Sequence, residues 1–257
     1  MRRDDYADED DQRRVVTFIV PSYEGNQNNV TAPEHEFTQI DETAGSFMKI
    51  KIILFDMMDT LIHEPYFDAI GRLLPPELDA KTYFRWRDTE AYLAFERGEA
   101  SEQEHFRQFY LPDAPPEMLA RFPRPERVKK ELLRSLRYIA GIPELIAWLR
   151  ARGDVRLGVA SNYSVWYQDM LPRLRELRDD MDYYFYSCEM GIRKPDAGYF
   201  EMIAAGLRRD FPELSSAEIF FTDDRQENVE AARACGWQAH LMDGDTASLR
   251  DAITTFL

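Results

Sequence analysis

A chain of 257 residues with 44% hydrophobic and 13% aromatic side chains can bury a genuine core, either as one large α/β domain with an inserted subdomain or as two small domains. Its formal net charge of −15 argues against nucleic acids and anionic membranes as partners, because there is no cationic field to recruit their phosphate groups. Two cysteines, no apolar run of the roughly 18 residues that a membrane span needs, and an N-terminus that opens into acidic residues predict a cytoplasmic protein without a disulfide framework.

Residues 1–47 differ in composition from the rest of the chain. They are rich in Asp and Glu and, apart from one short apolar run, show no periodicity. Such a segment buries too little apolar surface to offset the entropy of ordering it, so we predict a largely disordered leader. Met48 directly precedes the first convincing strand, which makes it a candidate start codon. Peptides from residues 1–40 in the native protein would contradict that hypothesis.

The first strong segment is the apolar run Ile53–Phe55, which ends abruptly on Asp56 and continues into a short turn. A buried strand that delivers a carboxylate at its C-terminal end places a nucleophile where parallel α/β sheets keep their active sites. A strand that merely happens to stop at an Asp would be the better explanation if this segment stood alone.

Residues 64–140 read as helical, and the sequence shows no obvious strand pairs there. Apolar and aromatic residues recur at helical spacings, for example over residues 81–97, and prolines interrupt the pattern. We expect a bundle of helices inserted after the first strand. The aromatic residues of this insertion, Trp86 and Tyr92 included, are most simply explained as core packing.

From Pro143 onward, helical segments alternate with short apolar runs. This alternation is typical of a parallel sheet with right-handed crossovers, and apolar runs with polar ends fit strands buried on both faces. We therefore predict an α/β fold in which a parallel sheet carries the helical insertion. The predicted strands of this half are Val155–Ala160, Tyr183–Tyr186, Ile219–Thr222 and Gln238–Met242.

Polar residues follow these strands in a consistent order. The second strand ends in Ser161 and Asn162, and a Gly-x-x-Lys-Pro-Asp segment brings Lys194 to the start of a helix. A hydroxyl at a strand tip can donate to a phosphate oxygen, and a lysine can neutralise both an attacking carboxylate and a transferring phosphoryl group. Taken singly, a Ser-Asn helix cap and a solvated lysine are the better explanations.

The fourth strand ends in the paired carboxylates Asp223 and Asp224. Two carboxylates at the end of a buried strand are costly unless a cation or a proton compensates them. Mg²⁺ is the natural partner, because it prefers oxygen ligands and brings waters and phosphate oxygens into its octahedron. Since the tips of parallel strands share one edge of the sheet, we expect Asp56, Ser161 and Lys194 to lie beside this pair.

In order, these segments resemble the four motifs of the haloacid dehalogenase (HAD) superfamily, subfamily I. The resemblance covers residues 49 to about 245 and implies a Rossmann-like core at 48–63 and 141–257, with an α-helical C1 cap at 64–140. The last two motifs are specific. The matching segments are Phe55–Leu61, Ser161–Asn162, Gly191–Asp196 and Asp223–Val229.

The resemblance also implies a Mg²⁺-dependent hydrolase of phosphate monoesters that acts on a small phosphorylated substrate. Asp56 would attack phosphorus and form an aspartyl-phosphate. Lys194 would assist the catalysis, and the substrate would be bound by Ser161, Asn162 and Lys194.

The same likeness implies how the metal would be held. Asp56, Asp224 and the backbone carbonyl of Met58 would ligate Mg²⁺, and Asp223 would be an outer or alternative ligand. The side chain of Met58 has no part in that contact.

The position two residues after the nucleophile departs from the family's pattern. Typical relatives carry a second Asp there as general acid and base, whereas this chain has Met58, and Asp59 falls on the usual Gly position. General acid–base help contributes about 10²–10⁴-fold to a rate. Three interpretations fit: a slow phosphatase that uses good leaving groups or recruits Asp59, a dehalogenase-like or phosphonatase-like hydrolase, and a catalytically impaired protein that binds a phosphorylated ligand or partner.

Two observations rank these alternatives. Dehalogenase relatives need no metal and usually lack the acidic pair, so the Asp223–Asp224 doublet weighs against that chemistry. Phosphonate-cleaving relatives use a cap lysine as a Schiff base, and Lys81, Lys129 and Lys130 lie in no recognisable motif. A metal-dependent phosphotransfer site is therefore the prediction, with the substrate and the oligomeric state left open.

Overall fold

The computed structural model describes residues 49–257. The predicted leader at 1–47 and the candidate start at Met48 lie outside the described residues. The described chain contains a five-stranded sheet in the order β3-β2-β1-β4-β5, and each pair of neighbouring strands is parallel. The predicted α/β fold with a Rossmann-like parallel sheet is confirmed. The strands are β1 Lys51–Phe55, β2 Val155–Ser161, β3 Tyr183–Tyr186, β4 Ile219–Asp223 and β5 Gln238–Leu241.

The central strand β1 is apolar on both faces because helices cover both sides of the sheet. Ile52, Ile53, Leu54 and Phe55 are all fully buried. Ile53 and Phe55 belong to one hydrophobic cluster and Ile52 and Leu54 to another, as the two-residue period of a strand requires.

The register of the sheet brings the ends of β1, β2 and β4 together. Phe55 pairs with Val159 on one side and with Thr222 on the other. The next residue, Asp56, continues this pairing, because its backbone N–H donates to the Thr222 carbonyl at 2.8 Å. The carboxyl ends of three neighbouring strands therefore open on the same edge of the sheet.

Seven helices lie between β1 and β2 in the described chain, and the first six fall within the stretch where the sequence predicts a helical insertion. The stretch at 81–97 is broken at Trp86–Asp88, because Asp88 accepts the N–H of Ala91 at 3.0 Å and so caps a new helix. The division into cap and core at residues 64 and 140 stays a prediction. The first six helices are α1 Pro65–Leu73, α2 Ala80–Arg85, α3 Thr89–Glu96, α4 Glu102–Arg107, α5 Pro116–Leu119 and α6 Pro125–Arg134.

The later helices alternate with the strands, as the sequence predicts for crossovers of a parallel sheet. No helix among residues 49–257 combines the length and the apolar character needed to cross a membrane. Short 3₁₀ turns lie at Leu171–Arg173 and Ser216–Glu218. The helices are α7 Ile142–Arg150, α8 Tyr167–Met170, α9 Arg175–Asp179, α10 Ser187–Met190, α11 Ala197–Asp210, α12 Gln226–Ala234 and α13 Thr246–Phe256.

Glu96, the last residue of α3, ties the helical segment to the sheet. Its carboxylate accepts from Tyr92 Oη at 2.5 Å and pairs with Arg193 at 2.8 Å, although the residue is only 4% exposed. Its backbone carbonyl accepts from Ser187 Oγ at 2.6 Å. A buried charge that is fully paired fixes geometry more than it adds stability. Glu96 therefore holds α3 in place over the loop that carries Lys194.

Candidate active site

Lys194 lies at the centre of the site. Its ammonium, on a side chain that is 1% exposed, donates to Asp56 Oδ1 and to Asp223 Oδ2, each at 2.6 Å. It also donates to the Ala160 carbonyl at 2.8 Å. Three acceptors match the three hydrogens of an ammonium, so burial leaves none of them unpaired. The structure thus brings together three of the predicted segments at the ends of β1 and β4 and in the Lys-Pro turn.

Asn162 fixes the backbone of Lys194. Its Nδ2 donates to the Lys194 carbonyl at 2.9 Å, and its Oδ1 accepts the Lys194 N–H at 2.8 Å. The amide therefore clamps the loop after β2 to the Lys-Pro turn. The predicted contact of Asn162 with a substrate stays a prediction.

The acidic pair at the end of β4 occupies two environments. Asp223 is fully buried, and its oxygens accept from Asn228 Nδ2 at 2.9 and 3.1 Å and from the Arg225 N–H at 2.9 Å, besides the lysine ammonium. Asp224 is partly exposed. One oxygen from each of Asp56, Asp223 and Asp224 lies within 4.8 Å of the others. That spacing suits carboxylates that share one cation.

The site holds more negative than positive charge. Burial raises the pKa of Asp56 to about 7; Lys194 opposes this shift, and the Asp223 and Asp224 carboxylates add to it. Burial also disfavours the charged form of Lys194, but Asp56 and Asp223 outweigh it, so the pKa of Lys194 lies above its ordinary value. Three carboxylates around one ammonium call for further positive charge, and their oxygens are the donors that Mg²⁺ prefers. The residues present therefore fit the predicted metal.

Ser161 and Met58 lie in the loops next to the nucleophile. Ser161 ends β2 and is 1% exposed. Met58 is partly buried and forms an isolated β-bridge with Ile62, so the chain after Asp56 turns back on itself. The contacts expected of these residues, Ser161 with a phosphoryl oxygen and the Met58 carbonyl with Mg²⁺, stay predictions.

Asp59 adopts a left-handed backbone conformation, with φ at 49°. Gly adopts this conformation freely, whereas among other residues Asp and Asn tolerate it best. This is the position where the resemblance expects a Gly. Asp59 Oδ1 accepts the N–H of Glu64 at 2.9 Å, so its carboxylate closes the turn.

A cavity of about 280 Å³ adjoins the site. On the site side it is lined by Glu64, Ser164 and Arg225, which follow shortly after the predicted site residues in the loops of β1, β2 and β4. The opposite side belongs mainly to the helical segment. Tyr163 also lines the cavity, and we call six other aromatic residues of its lining the ring wall: Tyr66, Phe67, Phe84, Tyr92, Phe95 and Trp166.

Polar ends in the ring wall are bonded within the protein. Trp166 Nε1 donates to Glu102 at 2.6 Å, and Tyr66 Oη shares a hydrogen bond with Tyr83 Oη at 2.9 Å. The rings therefore present mainly apolar surface to the cavity. Tyr92, expected to be core packing, lines this cavity and is 38% exposed.

Glu64 is a cavity residue that sequence reasoning missed. Its Oε1 accepts the Tyr66 N–H at 2.8 Å and so caps α1. Burial, with the nearby carboxylate of Asp59, raises the pKa of Glu64 to about 7, although the bond from Tyr66 opposes the shift. The sequence did carry a signal. Met58 stands where the usual acid is missing, and Glu64 is an acidic residue six positions later.

This chain is similar to known proteins in sequence and in fold. A family model for haloacid dehalogenase-like hydrolases matches residues 50–236. The chain is 26% identical over 188 residues to flavin mononucleotide hydrolase 1, chloroplastic, of Arabidopsis thaliana, covering 73% of this chain and 70% of that protein. It is 37% identical over 75 residues to the sesquiterpene phosphatase astK of Aspergillus oryzae, covering 28% of this chain and 36% of that protein.

Among solved structures, a HAD family enzyme of Bacteroides thetaiotaomicron, in complex with magnesium and inorganic phosphate, has the same fold. Its TM-score is 0.58 at 18% identity, covering 78% of this chain and 98% of that chain. The name of the Arabidopsis relative places that protein in the chloroplast. The cytoplasmic location expected for this chain stays a prediction.

Proposed function

The chain belongs to the haloacid dehalogenase-like hydrolases, and from that premise we propose that it hydrolyses a phosphate monoester through an aspartyl-phosphate on Asp56. The observation that carries the proposal is the Lys194 ammonium, shared between Asp56 and Asp223 at 2.6 Å each, with Asp224 beside them. An ammonium and a cation-binding cluster around one carboxylate suit the transfer of a phosphoryl group. The names of two relatives, a flavin mononucleotide hydrolase and a sesquiterpene phosphatase, support phosphate-ester chemistry.

The proposed reaction has two halves. An Asp56 oxygen attacks phosphorus, the P–O bond to the leaving group breaks, and an aspartyl-phosphate forms. Water then attacks that phosphorus, which releases inorganic phosphate and restores Asp56. Lys194 offsets the negative charge on the phosphoryl oxygens, and Ser161 would donate a hydrogen bond to one of them. Asn162 would serve substrate binding by keeping the backbone of Lys194 in place.

Asp56, Asp224 and the Met58 carbonyl would hold Mg²⁺, which when bound neutralises charge on the nucleophile and on the phosphoryl oxygens. Asp223 has its oxygens occupied by protein donors. It would therefore orient Lys194 and act as an outer or alternative ligand.

We infer that the substrate is a small molecule with a largely apolar, ring-containing body. The ring wall offers apolar contact, because polar ends of its side chains are bonded elsewhere. A cavity of about 280 Å³ lies at the small end of ligand pockets. The names of the two relatives refer to flavin mononucleotide, whose body contains a ring system, and to sesquiterpenes, whose skeletons are apolar.

Turnover of p-nitrophenyl phosphate by the purified protein tests the proposed function. We expect Mg²⁺-dependent activity that EDTA removes and that Asp56→Asn lowers by about 10³-fold or more, because no aspartyl-phosphate can form. Glu117→Gln, a change on the exposed surface of the helical segment, is the neutral control. Full activity in Asp56→Asn would contradict the proposal. No Mg²⁺-dependent turnover across a panel of phosphate monoesters would favour the impaired, ligand-binding alternative.

A further inference from the structure

Hydrolysis of an alkyl phosphate needs a proton donor that the usual position does not supply. The alkoxide takes up a proton as its bond to phosphorus breaks, and the water that attacks the aspartyl-phosphate gives one up. Met58 stands at the position of the general acid in related enzymes and has no proton to transfer. A residue that replaces it must reach the leaving group from the cavity.

We propose that Glu64 donates the proton to the leaving group and then accepts the proton of the attacking water; this inference rests on the proposed phosphatase function. Glu64 lines the cavity together with Ser164 and Arg225, which belong to the loops after β2 and β4. These loops also carry Ser161 and Asp224. A leaving group in the cavity therefore lies beside both the site loops and the Glu64 carboxyl group.

The hydrogen bonds of Glu64 leave one carboxyl oxygen for the proton. Oε1 accepts the Tyr66 N–H at 2.8 Å, and the backbone N–H of Glu64 donates to Asp59 Oδ1 at 2.9 Å. The two bonds hold the backbone and one carboxyl oxygen. Oε2 can therefore carry and return a proton while the group keeps its orientation.

The charges around Glu64 favour its protonated form. Burial raises its pKa to about 7, and the carboxylates of Asp59, Asp56 and Asp224 add to the shift. Arg225 also lines the site side of the cavity. A carboxyl group with a pKa near neutrality can protonate an alkoxide and deprotonate water at the same pH.

Other titratable groups that line the cavity are less suited to this role. Asp88, which accepts the N–H of Ala91 as the cap of α3, belongs to the helical segment and not to the loops of the site. Burial raises the pKa of Tyr163 well above its ordinary value, so its phenol gives up a proton less readily. Arg87 donates to Tyr66 Oη at 2.9 Å and stays charged. Burial lowers the pKa of His105 to about 4, so its imidazole is neutral at pH 7 and has no ready proton to give.

Glu64→Gln tests the inference with two esters of similar size, p-nitrophenyl phosphate and 2-phenylethyl phosphate. Gln keeps an acceptor for the Tyr66 N–H but has no proton to transfer. Because nitrophenolate leaves without a proton, we expect a burst of about one nitrophenolate per active site, followed by a stall as the aspartyl-phosphate accumulates. Turnover of 2-phenylethyl phosphate should fall by about 10²–10⁴-fold, with no phosphorylated enzyme detected.

Two further variants keep the test decisive. Met58→Asp in the Glu64→Gln background places a carboxyl group at the usual position and should restore turnover of 2-phenylethyl phosphate. Asp59→Asn removes the neighbouring acid, and a burst followed by a stall in that variant alone would assign the role to Asp59 and overturn the inference. Loss of the nitrophenolate burst in Glu64→Gln would also overturn it, because a merely structural role slows both half-reactions.

The dependence on Asp56 separates this inference from the proposed function. If the wild-type protein hydrolyses neither ester in an Asp56-dependent way, the proposed function fails and the inference fails with it. If it hydrolyses both, and Glu64→Gln changes neither rate, only the role of Glu64 is overturned. Thermal melts of Glu64→Gln within a few degrees of the wild type would show that the variant is folded.

Discussion

The charged residues at the carboxyl ends of the strands, which we call the sheet edge, and the ring wall of the cavity have opposite character. At the sheet edge, Lys194, Asp56 and Asp223 are charged and buried, and every hydrogen of the ammonium has an acceptor. In the ring wall, Trp166 and Tyr66 turn their polar atoms to protein partners and leave apolar surface toward the cavity. One surface holds charge, and the other is mainly apolar.

This difference indicates separate roles in the proposed reaction. Each charge at the sheet edge depends on its neighbours, so removal of one leaves the others buried and unpaired. A change in the ring wall removes only contact area with the leaving group. Substitutions at the edge should therefore cost stability and affect every substrate, whereas substitutions in the wall should alter the choice between substrates.

Lys194→Met is expected to cause the largest loss in the free energy of unfolding. Met fills much of the same volume but leaves Asp56 and Asp223 without their shared ammonium, and an uncompensated buried charge costs about 3–5 kcal/mol. Urea unfolding in EDTA, which keeps added cations from replacing the charge, would measure this loss in the free energy of unfolding. Lys49→Met removes a lysine that is 83% exposed and pairs with Glu218 at 3.3 Å, and should cost less than about 1 kcal/mol. Equal losses would contradict the charged character of the edge.

The sheet edge could be predicted from sequence because strand ends carry it. Asp56 follows an apolar run and Asp223 ends one, and the parallel order of the strands places both at the same edge. The sequence could not show that Asn162 clamps the backbone of Lys194 or that Asn228 occupies the oxygens of Asp223. Those contacts depend on loop conformations that no short pattern specifies.

The ring wall could not be predicted in the same way. Trp86 and Tyr92 belong to one helical stretch in the sequence, yet Trp86 packs against the core and Tyr92 lines the cavity. The break that Asp88 introduces between α2 and α3 sets the direction of α3. Helical periodicity in the sequence does not fix that direction. Glu64 was missed because an acidic residue before a helix-starting proline reads as a helix cap, which it also is.

His105→Phe is expected to have the next largest effect on the free energy of unfolding, and only at acid pH. Burial, together with Arg87, lowers the pKa of His105 from 6.5 to about 4, and its Nδ1 has no hydrogen-bond partner among the described residues. Between these pH values the unfolded chain binds a proton that the folded chain does not, so stability falls as the pH drops. Phe can stack on Phe95, as the imidazole does at 4.4 Å between ring centroids, without this dependence.

Urea unfolding at pH 7 and pH 4 measures the contribution of His105. From pH 7 to pH 4 the wild type should lose about 2–3 kcal/mol more stability than His105→Phe. Carboxylates that titrate in this range are common to both proteins and cancel in the difference. The same loss in both proteins would mean that the imidazole takes up its proton in the folded state, and the surroundings of the ring wall would then be less apolar than the geometry indicates.

Phe84→Ala should have the smallest effect, and it tests the selective role of the wall directly. Phe84 lines the cavity and lies 5.4 Å from Phe67 between ring centroids, so its loss removes apolar contact with a bound ring. We expect kcat/KM for 1-naphthyl phosphate to fall by about 10–100-fold and that for glycerol 3-phosphate by less than about threefold, because only the first buries a ring there. Phe106→Ala is the matched control, since Phe106 is also half-buried and packs 6.1 Å from Trp166, but outside the cavity lining. If Phe106→Ala were equally selective, or if Phe84→Ala lowered both rates alike, the rings would act through packing of the helical segment, and the sheet edge alone would govern which esters react.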